Sequence, residues 1–319
     1  MKLRCHKCGL VTPEELHFCL NCQSSLLAKT NYDLNVTDFA YGLDLDAMRT
    51  MNATGPLPYV LKKLTLADLE KTMISNLSTT AQRITYPLDL HAMVRDCGVS
   101  LSLEYLPEVF IADNGLPNAF TFGSEEHAYL VVNSGLLRAL TQLELMAVIA
   151  HELAHVKSGH MTYHTLAEIL GGGISLSASL MGLDVLSIPV RFALLSWHRQ
   201  SEVTADRASL LAVDDIEIIE SLLQKLASDR APAPLDQHEI QHNPGMLESV
   251  RELFRTHPLD INRLKLAKEF WQSQEFLRAK QKIQLRQSLL KALVPACRFC
   301  GHSKTTEDLF CPKCGKCQT

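Results

Sequence analysis

The chain has 319 residues, of which 46% are hydrophobic and 21% are charged. These fractions lie close to the averages of globular proteins and argue against the collagen-like, coiled-coil and disordered classes. The 31 basic and 35 acidic residues give a formal net charge of −4. Proteins whose main partner is a phosphate backbone usually carry a basic surplus, so a nucleic-acid partner is not expected.

The cysteines predict two small metal-binding modules. Eight of the ten form CxxC pairs, with ten residues between the two pairs at each end of the chain: Cys5, Cys8, Cys19, Cys22, Cys297, Cys300, Cys311 and Cys314. This spacing is typical of a zinc ribbon, in which four thiolates hold a structural ion. Such small modules have too little core to fold alone, so zinc binding would supply their folding energy. Thiolates need a reducing compartment and no secretory signal is visible, so a cytoplasmic location is expected.

The residue pattern predicts an α+β fold, with a small antiparallel sheet followed by many helices. Alternating apolar residues between turn residues predict strands over 100–106, 108–113, 118–123 and 128–133. Helical periodicity predicts helices over 65–80, 87–96, 142–158, 162–182, 186–197, 200–212, 214–227 and 245–255, and a long helical stretch over 259–293. The uncharged stretch 169–183 is shorter than the about 20 residues of a membrane-spanning helix, so we expect a buried helical pair there.

The segment His151-Glu152-Leu153-Ala154-His155 is an HExxH motif within the helix predicted over 142–158. A spacing of four residues puts both imidazoles on one face, where each can offer a nitrogen to one zinc ion. Glu152 can then reach a water at that ion and accept its proton. In the alternative interpretation the motif arises by chance and binds nothing.

A catalytic zinc ion needs a third protein ligand and one open position. The metzincin pattern would place a glycine and a histidine seven and ten residues after His151, but those positions hold Ser158 and Met161. Glu202, on a separate predicted helix, is the candidate for the third ligand. Asp206 lies one turn later on the same face, where it can accept an N–H from a ligand histidine. The alternative for Glu202 is an ordinary acid on a helix surface.

Several motifs occur together in the order of a known family. They are Asn118-Ala119-Phe120, the segment LELMAVIAHELAHVKSGH at 143–160, Glu202 to Asp206 followed by Arg207, Thr256-His257-Pro258, and Arg263. With these motifs the chain resembles, over about residues 90–270, the HtpX-like zinc metallopeptidases, which are relatives of the type I CAAX prenyl proteases. Members of that family have transmembrane helices without a clear counterpart here, so the resemblance is to the catalytic core.

The resemblance implies a gluzincin with a mostly helical, zincin-like core. It implies that His151, His155 and Glu202 hold the zinc ion and that Glu152 is the general base. The strand at 128–132 resembles the edge strand that binds an extended peptide in such enzymes.

The resemblance further implies that Asn118 and His257 approach the scissile carbonyl. There His257 would stabilise the oxyanion that forms during peptide hydrolysis. The alternatives are a turn residue for Asn118 and a helix-capping histidine for His257.

The predicted organisation is a zinc ribbon at 1–27, a linker at 28–58, a metallopeptidase domain at 59–294 and a second ribbon at 295–319. The main hypothesis is a zinc-dependent endopeptidase with one catalytic and two structural zinc ions, acting on peptides or unfolded protein. The alternative is a zinc-ribbon scaffold whose peptidase core is idle or gated and whose ribbons dock protein partners. Peripheral membrane association is left open, although no clear spanning helix indicates it.

Overall fold

A computed structural model gives the fold of the chain. The residues it describes are 2–13, 17–53, 73–75, 77, 79–85, 89–124, 127–164, 188–228, 261–293, 299–300, 310 and 313–316. Several predictions fall outside these ranges: the helix over 245–255, most of the helices over 65–80 and 162–182, His257, Cys297 and Cys311.

Two sheets are present in the described part of the chain. Strands β1 (Lys2–Arg4) and β2 (Val11–Pro13) form an antiparallel pair near the N-terminus. The other four strands form one sheet in the order β3-β4-β6-β5, with bounds β3 (Ala81–Ile84), β4 (Glu108–Ala112), β5 (Ala119–Gly123) and β6 (Ala128–Asn133). β4 and β6 are parallel, and the two outer pairings are antiparallel. The larger sheet is therefore mixed and not purely antiparallel.

The mixed sheet arises because the chain between β4 and β5 crosses the end of β6. Asn133, the last residue of β6, donates its side-chain Nδ2–H to Leu116 O in this crossing segment at 3.2 Å. The backbone at Gly135 lies so close to the same segment that a Cβ there would be 2.1 Å from Gly115 O. Glycine at position 135 permits the crossing, which leaves β6 inside the sheet and β5 at its edge.

Helices make up most of the described structure. Their bounds are α1 (Gly42–Ala53), α2 (Asp89–Ser100), α3 (Ser134–Ala139), α4 (Gln142–Ser158), α5 (Ile188–Val213), α6 (Ile216–Ser228), α7 (Ile261–Trp271) and α8 (Gln274–Leu293). The helices predicted over 186–197 and 200–212 are one continuous helix, because no glycine or proline separates them. The long C-terminal stretch is broken at Ser273, whose Oγ accepts the N–H of Phe276 at 3.1 Å and so caps α8.

The strand predicted over 100–106 is wrong. Helix α2 extends to Ser100, and Ser102 then adopts a positive φ of 54°. Leu101, Leu103 and Leu106 are buried. Their near-alternating pattern arises because the irregular segment after the helix packs these leucines into the core. Periodicity alone does not separate this arrangement from a short strand.

Helices α4 and α5 pack side by side at the centre of the hydrophobic core. Small residues face one another there, with Ala147, Ala205 and Ala208 all fully buried. Ser209 Oγ on α5 donates to Ala147 O on α4 at 2.5 Å. This close approach brings the side chains of the two helices to one place. The predicted α+β class, mostly helical with a small sheet, is confirmed.

The N-terminal residues pack against this helical core. Phe18 is 3% exposed and belongs to the same buried cluster as residues of α2 and α4. Backbone hydrogen bonds join Ser25 N to Glu104 O at 2.8 Å and Leu106 N to Gln23 O at 3.0 Å. The described part of the predicted linker, residues 28–53, contributes Leu34 and Phe39 to the core. The division of the chain into ribbons, linker and domain stays a prediction.

Within the residues that the structure describes, none of the helices is both long and apolar enough to span a lipid bilayer.

Candidate metal centre and active site

Helix α4 is fixed at both of its ends. Thr141 and Glu144 form a capping box at the N-terminus, in which Thr141 N–H donates to Glu144 Oε2 at 2.8 Å. Gly159 ends the helix in the left-handed conformation, with φ of 70°. Between these ends, His151 and His155 lie one turn apart and both are buried. The rigid helix presents both imidazoles on one face.

Helix α5 brings Glu202 to the two histidines. Nε2 of His151 lies 3.4 Å from Glu202 Oε2, and Nε2 of His155 lies 3.4 Å from Glu202 Oε1. The two Nε2 atoms lie 3.2 Å apart. Glu202 is 0% exposed, so it is not an acid on a helix surface.

The spacing of these three donors suits a zinc ion. Ligand atoms about 2.0–2.1 Å from a tetrahedral zinc ion lie about 3.3 Å from one another. The three donor spacings here are 3.2, 3.4 and 3.4 Å. Two histidines and one carboxylate also match the donor set of many catalytic zinc sites. His151, His155 and Glu202 could therefore hold zinc.

Asp206 and Arg263 contact two of the three candidate zinc ligands, His151 and Glu202. His151 Nδ1 lies 3.1 Å from Asp206 Oδ1, and since a carboxylate only accepts, Nδ1 carries a proton and Nε2 is the atom that can bind a metal ion. Arg263 on α7 donates to both oxygens of Asp206 at 2.7 Å and also lies 3.1 Å from Glu202 Oε2. Burial alone would raise the pKa of Asp206, but Arg263 and His151 lower it below its ordinary value.

The charges of the site favour a cation. The buried carboxylates of Glu152, Glu202 and Asp206 outnumber the guanidinium of Arg263. Burial lowers the pKa of His151, but hydrogen bonds to Asp206 and Glu202 outweigh this effect and raise it to about 10. At neutral pH the His151 ring therefore carries a second proton, on Nε2. A divalent cation would replace this proton and pair with the same carboxylates.

Glu152 faces the sheet. Thr121 on β5 donates its hydroxyl to Glu152 Oε2 at 3.1 Å, which orients the carboxylate. Among the strands of the described residues, β5 lies at the edge of its sheet, whereas β6 pairs on both sides. The expectation that the strand at 128–132 is the edge is therefore wrong. The strand order depends on the crossing of the chain at Gly135. Strand propensities do not predict this crossing.

Asn118 lies directly before β5, the strand that carries Thr121. Its backbone O accepts from Asn133 N at 2.9 Å, and its side chain is half-buried. The structure thus places Asn118 three residues before the strand position that contacts Glu152, and its role at a substrate carbonyl stays a prediction. His257 lies outside the described residues.

Three more histidines lie next to the centre, and the resemblance does not include them among the zinc ligands. His160, His164 and His198 are 1%, 7% and 6% exposed. His160 Nδ1 lies 3.0 Å from His155 Nδ1, and His164 Nε2 lies 2.7 Å from Ser201 Oγ. The sequence gives one indication of this arrangement. His160 and His164 are four residues apart, the same spacing as His151 and His155 in the HExxH motif.

The N-terminal cysteines also converge. Sγ of Cys5 lies 3.5 Å from Sγ of Cys22, and Sγ of Cys8 lies 3.5 Å from Sγ of Cys19. All four sulfur atoms lie within 4.8 Å of one another, so they could hold one zinc ion. At the other end of the chain, Cys300 and Cys314 are exposed. The other two cysteines of this predicted ribbon, Cys297 and Cys311, lie outside the described residues.

Comparison with known proteins agrees with this geometry. The sequence profile of peptidase family M48 matches residues 87–270. This chain belongs to peptidase family M48. The matched range contains the two α4 histidines, Glu152, Glu202 and Asp206. No solved structure matches the chain.

Two relatives illustrate the match. The chain is 32% identical over 222 residues to "Plastoglobule-localized metallopeptidase 48, chloroplastic" of Arabidopsis thaliana, covering 69% of this chain and 62% of that protein. It is 29% identical over 204 residues to "Protease HtpX homolog" of Burkholderia mallei (strain SAVP1), covering 54% of this chain and 71% of that protein. The resemblance to HtpX-like metallopeptidases is therefore confirmed.

Proposed function

We propose that the protein is a zinc-dependent endopeptidase. The observation that carries this proposal is the convergence of two imidazole nitrogens and one carboxylate, next to Glu152, in a member of a metallopeptidase family. His151, His155 and Glu202 would hold the ion. When bound, zinc supplies an electrophile that polarises a peptide carbonyl and acidifies water.

Glu152 would move the proton in the reaction. Its carboxylate accepts a proton from the attacking water and then gives it to the nitrogen of the leaving amine. The hydrogen bond from Thr121 to Oε2 holds the carboxylate in one orientation during both transfers. Glu152 is 2% exposed, so little bulk water competes for this proton.

The edge strand β5 suits an extended peptide as substrate. In the described part of the chain, its outer side has no strand partner. Its backbone groups can pair with a peptide by β-addition, and Thr121 on this strand already contacts Glu152. A peptide bound along β5 would therefore pass the catalytic carboxylate. Unfolded protein and flexible peptides are the substrates that fit this mode.

The test is the Glu152→Gln variant of the full chain, assayed on a quenched fluorescent peptide mixture and on unfolded casein. Loss of a general base lowers the rate by about 10²–10⁴-fold. Zinc content should stay at the wild-type value because Glu152 is not one of the three donors. The matched control is Glu217→Gln on the exposed start of α6, which should keep wild-type activity. Cleavage by Glu152→Gln at the wild-type rate would refute the assigned base.

The N-terminal cysteines would hold a structural zinc ion, and a second such site at the C-terminus is proposed from its matching spacing alone. Docking of partner proteins on the ribbons and a cytoplasmic location are further proposals, the latter resting on the need for reduced thiols.

The scaffold alternative makes a distinct prediction. A wild-type protein with zinc at all sites would then cleave no unfolded substrate.

A further inference from the structure

A chain of hydrogen bonds leads from helix α1 to His155. Asp44 on α1 is 1% exposed, and its Oδ2 lies 3.2 Å from His160 Nε2. His160 Nδ1 in turn lies 3.0 Å from His155 Nδ1. His155 Nε2 is the atom that lies 3.4 Å from Glu202 Oε1. The segment before the family region thus contacts the metal centre through one intervening imidazole.

The neighbours of Asp44 fix it as a carboxylate that accepts hydrogen bonds. Trp197 Nε1, which can only donate, lies 2.8 Å from Asp44 Oδ1. Thr204 Oγ1 lies 2.6 Å from Asp44 Oδ2 and accepts the backbone N–H of Tyr41 at 3.0 Å, so its own proton points to Asp44. His160 is the third donor to this carboxylate.

The protons of the two histidines follow from this arrangement. Because Asp44 only accepts, a neutral His160 carries its proton on Nε2 and leaves a lone pair on Nδ1. That lone pair can accept only if His155 carries its own proton on Nδ1. His155 then has its lone pair on Nε2, which faces Glu202 and His151. The chain of contacts sets the tautomer that a metal ligand needs.

The two histidines of the motif are therefore supported differently. His151 contacts the carboxylate of Asp206 directly, at 3.1 Å, from within the family region at 87–270. On its Nδ1 side His155 instead contacts His160, which in turn contacts the carboxylate of Asp44, a residue outside the family region.

We propose that Asp44 and His160 are positioning residues that hold His155 in its metal-binding tautomer and thereby raise the zinc affinity of the centre. The part of the chain before residue 87 is then a component of the metal centre and not only a linker. The inference rests on the proposed zinc site but not on peptide cleavage.

A purely structural role is the competing account, because Asp44 also ties α1 to α5 through Trp197 and Thr204. The His160→Gln variant separates the two. Its amide can still donate to Asp44 from the place of Nε2, but it offers no lone pair at the place of Nδ1. The tie between α1 and α5 is kept, and the contact with His155 is lost.

The experiment measures the zinc dissociation constant of the full chain by chelator competition for four variants: Asp44→Asn, His160→Gln, Asp46→Asn and His127→Gln. The last two are matched controls, since Asp46 is an exposed acid of α1 and His127 is an exposed histidine. Cobalt spectra separate this centre from the ribbons, because thiolate ligation has its own absorption. Loss of such an outer partner of a ligand weakens metal binding by about 10–100-fold.

We expect zinc binding to weaken by about 10–100-fold in Asp44→Asn and His160→Gln. The dissociation constants of the two controls should change by less than twofold. Nitrogen-15 spectra of wild-type histidine rings should show the proton of His155 on Nδ1 and that of His160 on Nε2. The inference is overturned if both folded variants bind zinc within twofold of wild type. It is also overturned if the wild-type spectra show the opposite tautomers, a result that requires no variant to fold. If the wild-type centre binds no zinc at all, the proposed function fails first.

Discussion

The buried histidine centre and the N-terminal ribbon both bring ligand atoms together, but different parts of the fold hold them. His151, His155 and Glu202 lie on two long helices packed in the core, and each ring nitrogen that faces away from the centre has a partner. The ribbon cysteines lie on short turns, and Cys8 is exposed. A centre of the first kind is formed by folding of the core, whereas the proposed ribbon would depend on a bound ion for its own structure.

Removing a donor from the buried centre should abolish zinc binding there and leave the fold intact. In Glu202→Gln the amide keeps the volume of the side chain, and Arg263 keeps its two bonds to Asp206. We expect peptidase activity to fall by more than about 100-fold, since even outer partners of a ligand contribute 10–100-fold. Metal analysis should show one zinc ion fewer per chain with unchanged circular dichroism.

Glu217→Gln is the control for this substitution, because Glu217 is exposed on α6. Wild-type zinc content in Glu202→Gln would show that the third ligand lies elsewhere. Loss of the ribbon zinc in the same variant would contradict the independence of the two sites.

The ribbon should be joined to the core chiefly by packing. Phe18, next to Cys19, is 3% exposed and lies in the main hydrophobic cluster. Phe18→Ala removes a large buried side chain, which typically costs about 3–5 kcal/mol in the free energy of unfolding. Urea unfolding of the zinc-loaded proteins measures this loss. Leu20→Ala, at a position that is 41% exposed, is the control and should change little. Equal effects of the two substitutions would mean that the ribbon unfolds separately.

The helix that carries the histidines should be stabilised by its own cap. Burial alone would raise the pKa of Glu144, but hydrogen bonds from Lys225, Thr141 and Ser221 lower it to about 2. Glu144→Gln should therefore cost about 1–2 kcal/mol of unfolding free energy at pH 7, through the weakened cap and charged bonds.

The pH dependence of this cost has a fixed sign. Because the folded pKa lies below the ordinary value of 4.5, the carboxylate stabilises the fold above pH 4.5 and loses this contribution as the pH falls toward 2. The difference between wild type and Glu144→Gln should shrink between pH 5 and pH 3 in urea unfolding. A difference that stays constant over this range would show that Glu144 keeps no depressed pKa in the folded protein.

Local rules predicted the parts of the centre that lie on single helices. The face shared by His151 and His155 and the turn between Glu202 and Asp206 both follow from helical spacing. The helices that carry them could be read from periodicity, and they pack as the HExxH motif and its family would require.

Contacts between distant segments were not predictable in the same way. Asp44 meets Thr204, which lies 160 residues later in the chain, and nothing around Asp44 distinguishes it from an exposed acid. The order of β5 and β6 depends on the close approach at Gly135. In both cases the decisive contact joins segments whose local sequences give no sign of each other.

The smallest expected effect concerns an ion pair that joins Lys29, two residues after the ribbon, to the core. Lys29 Nζ lies 2.6 Å from Glu104 Oε1, but the two side chains are 82% and 74% exposed. Water and salt screen such pairs, and ordering two long side chains costs entropy. Lys29→Met should therefore leave the urea midpoint unchanged at physiological salt, in contrast to Phe18→Ala. A clear loss of stability would mean that charge, and not the packing of Phe18, holds the ribbon on the helical core.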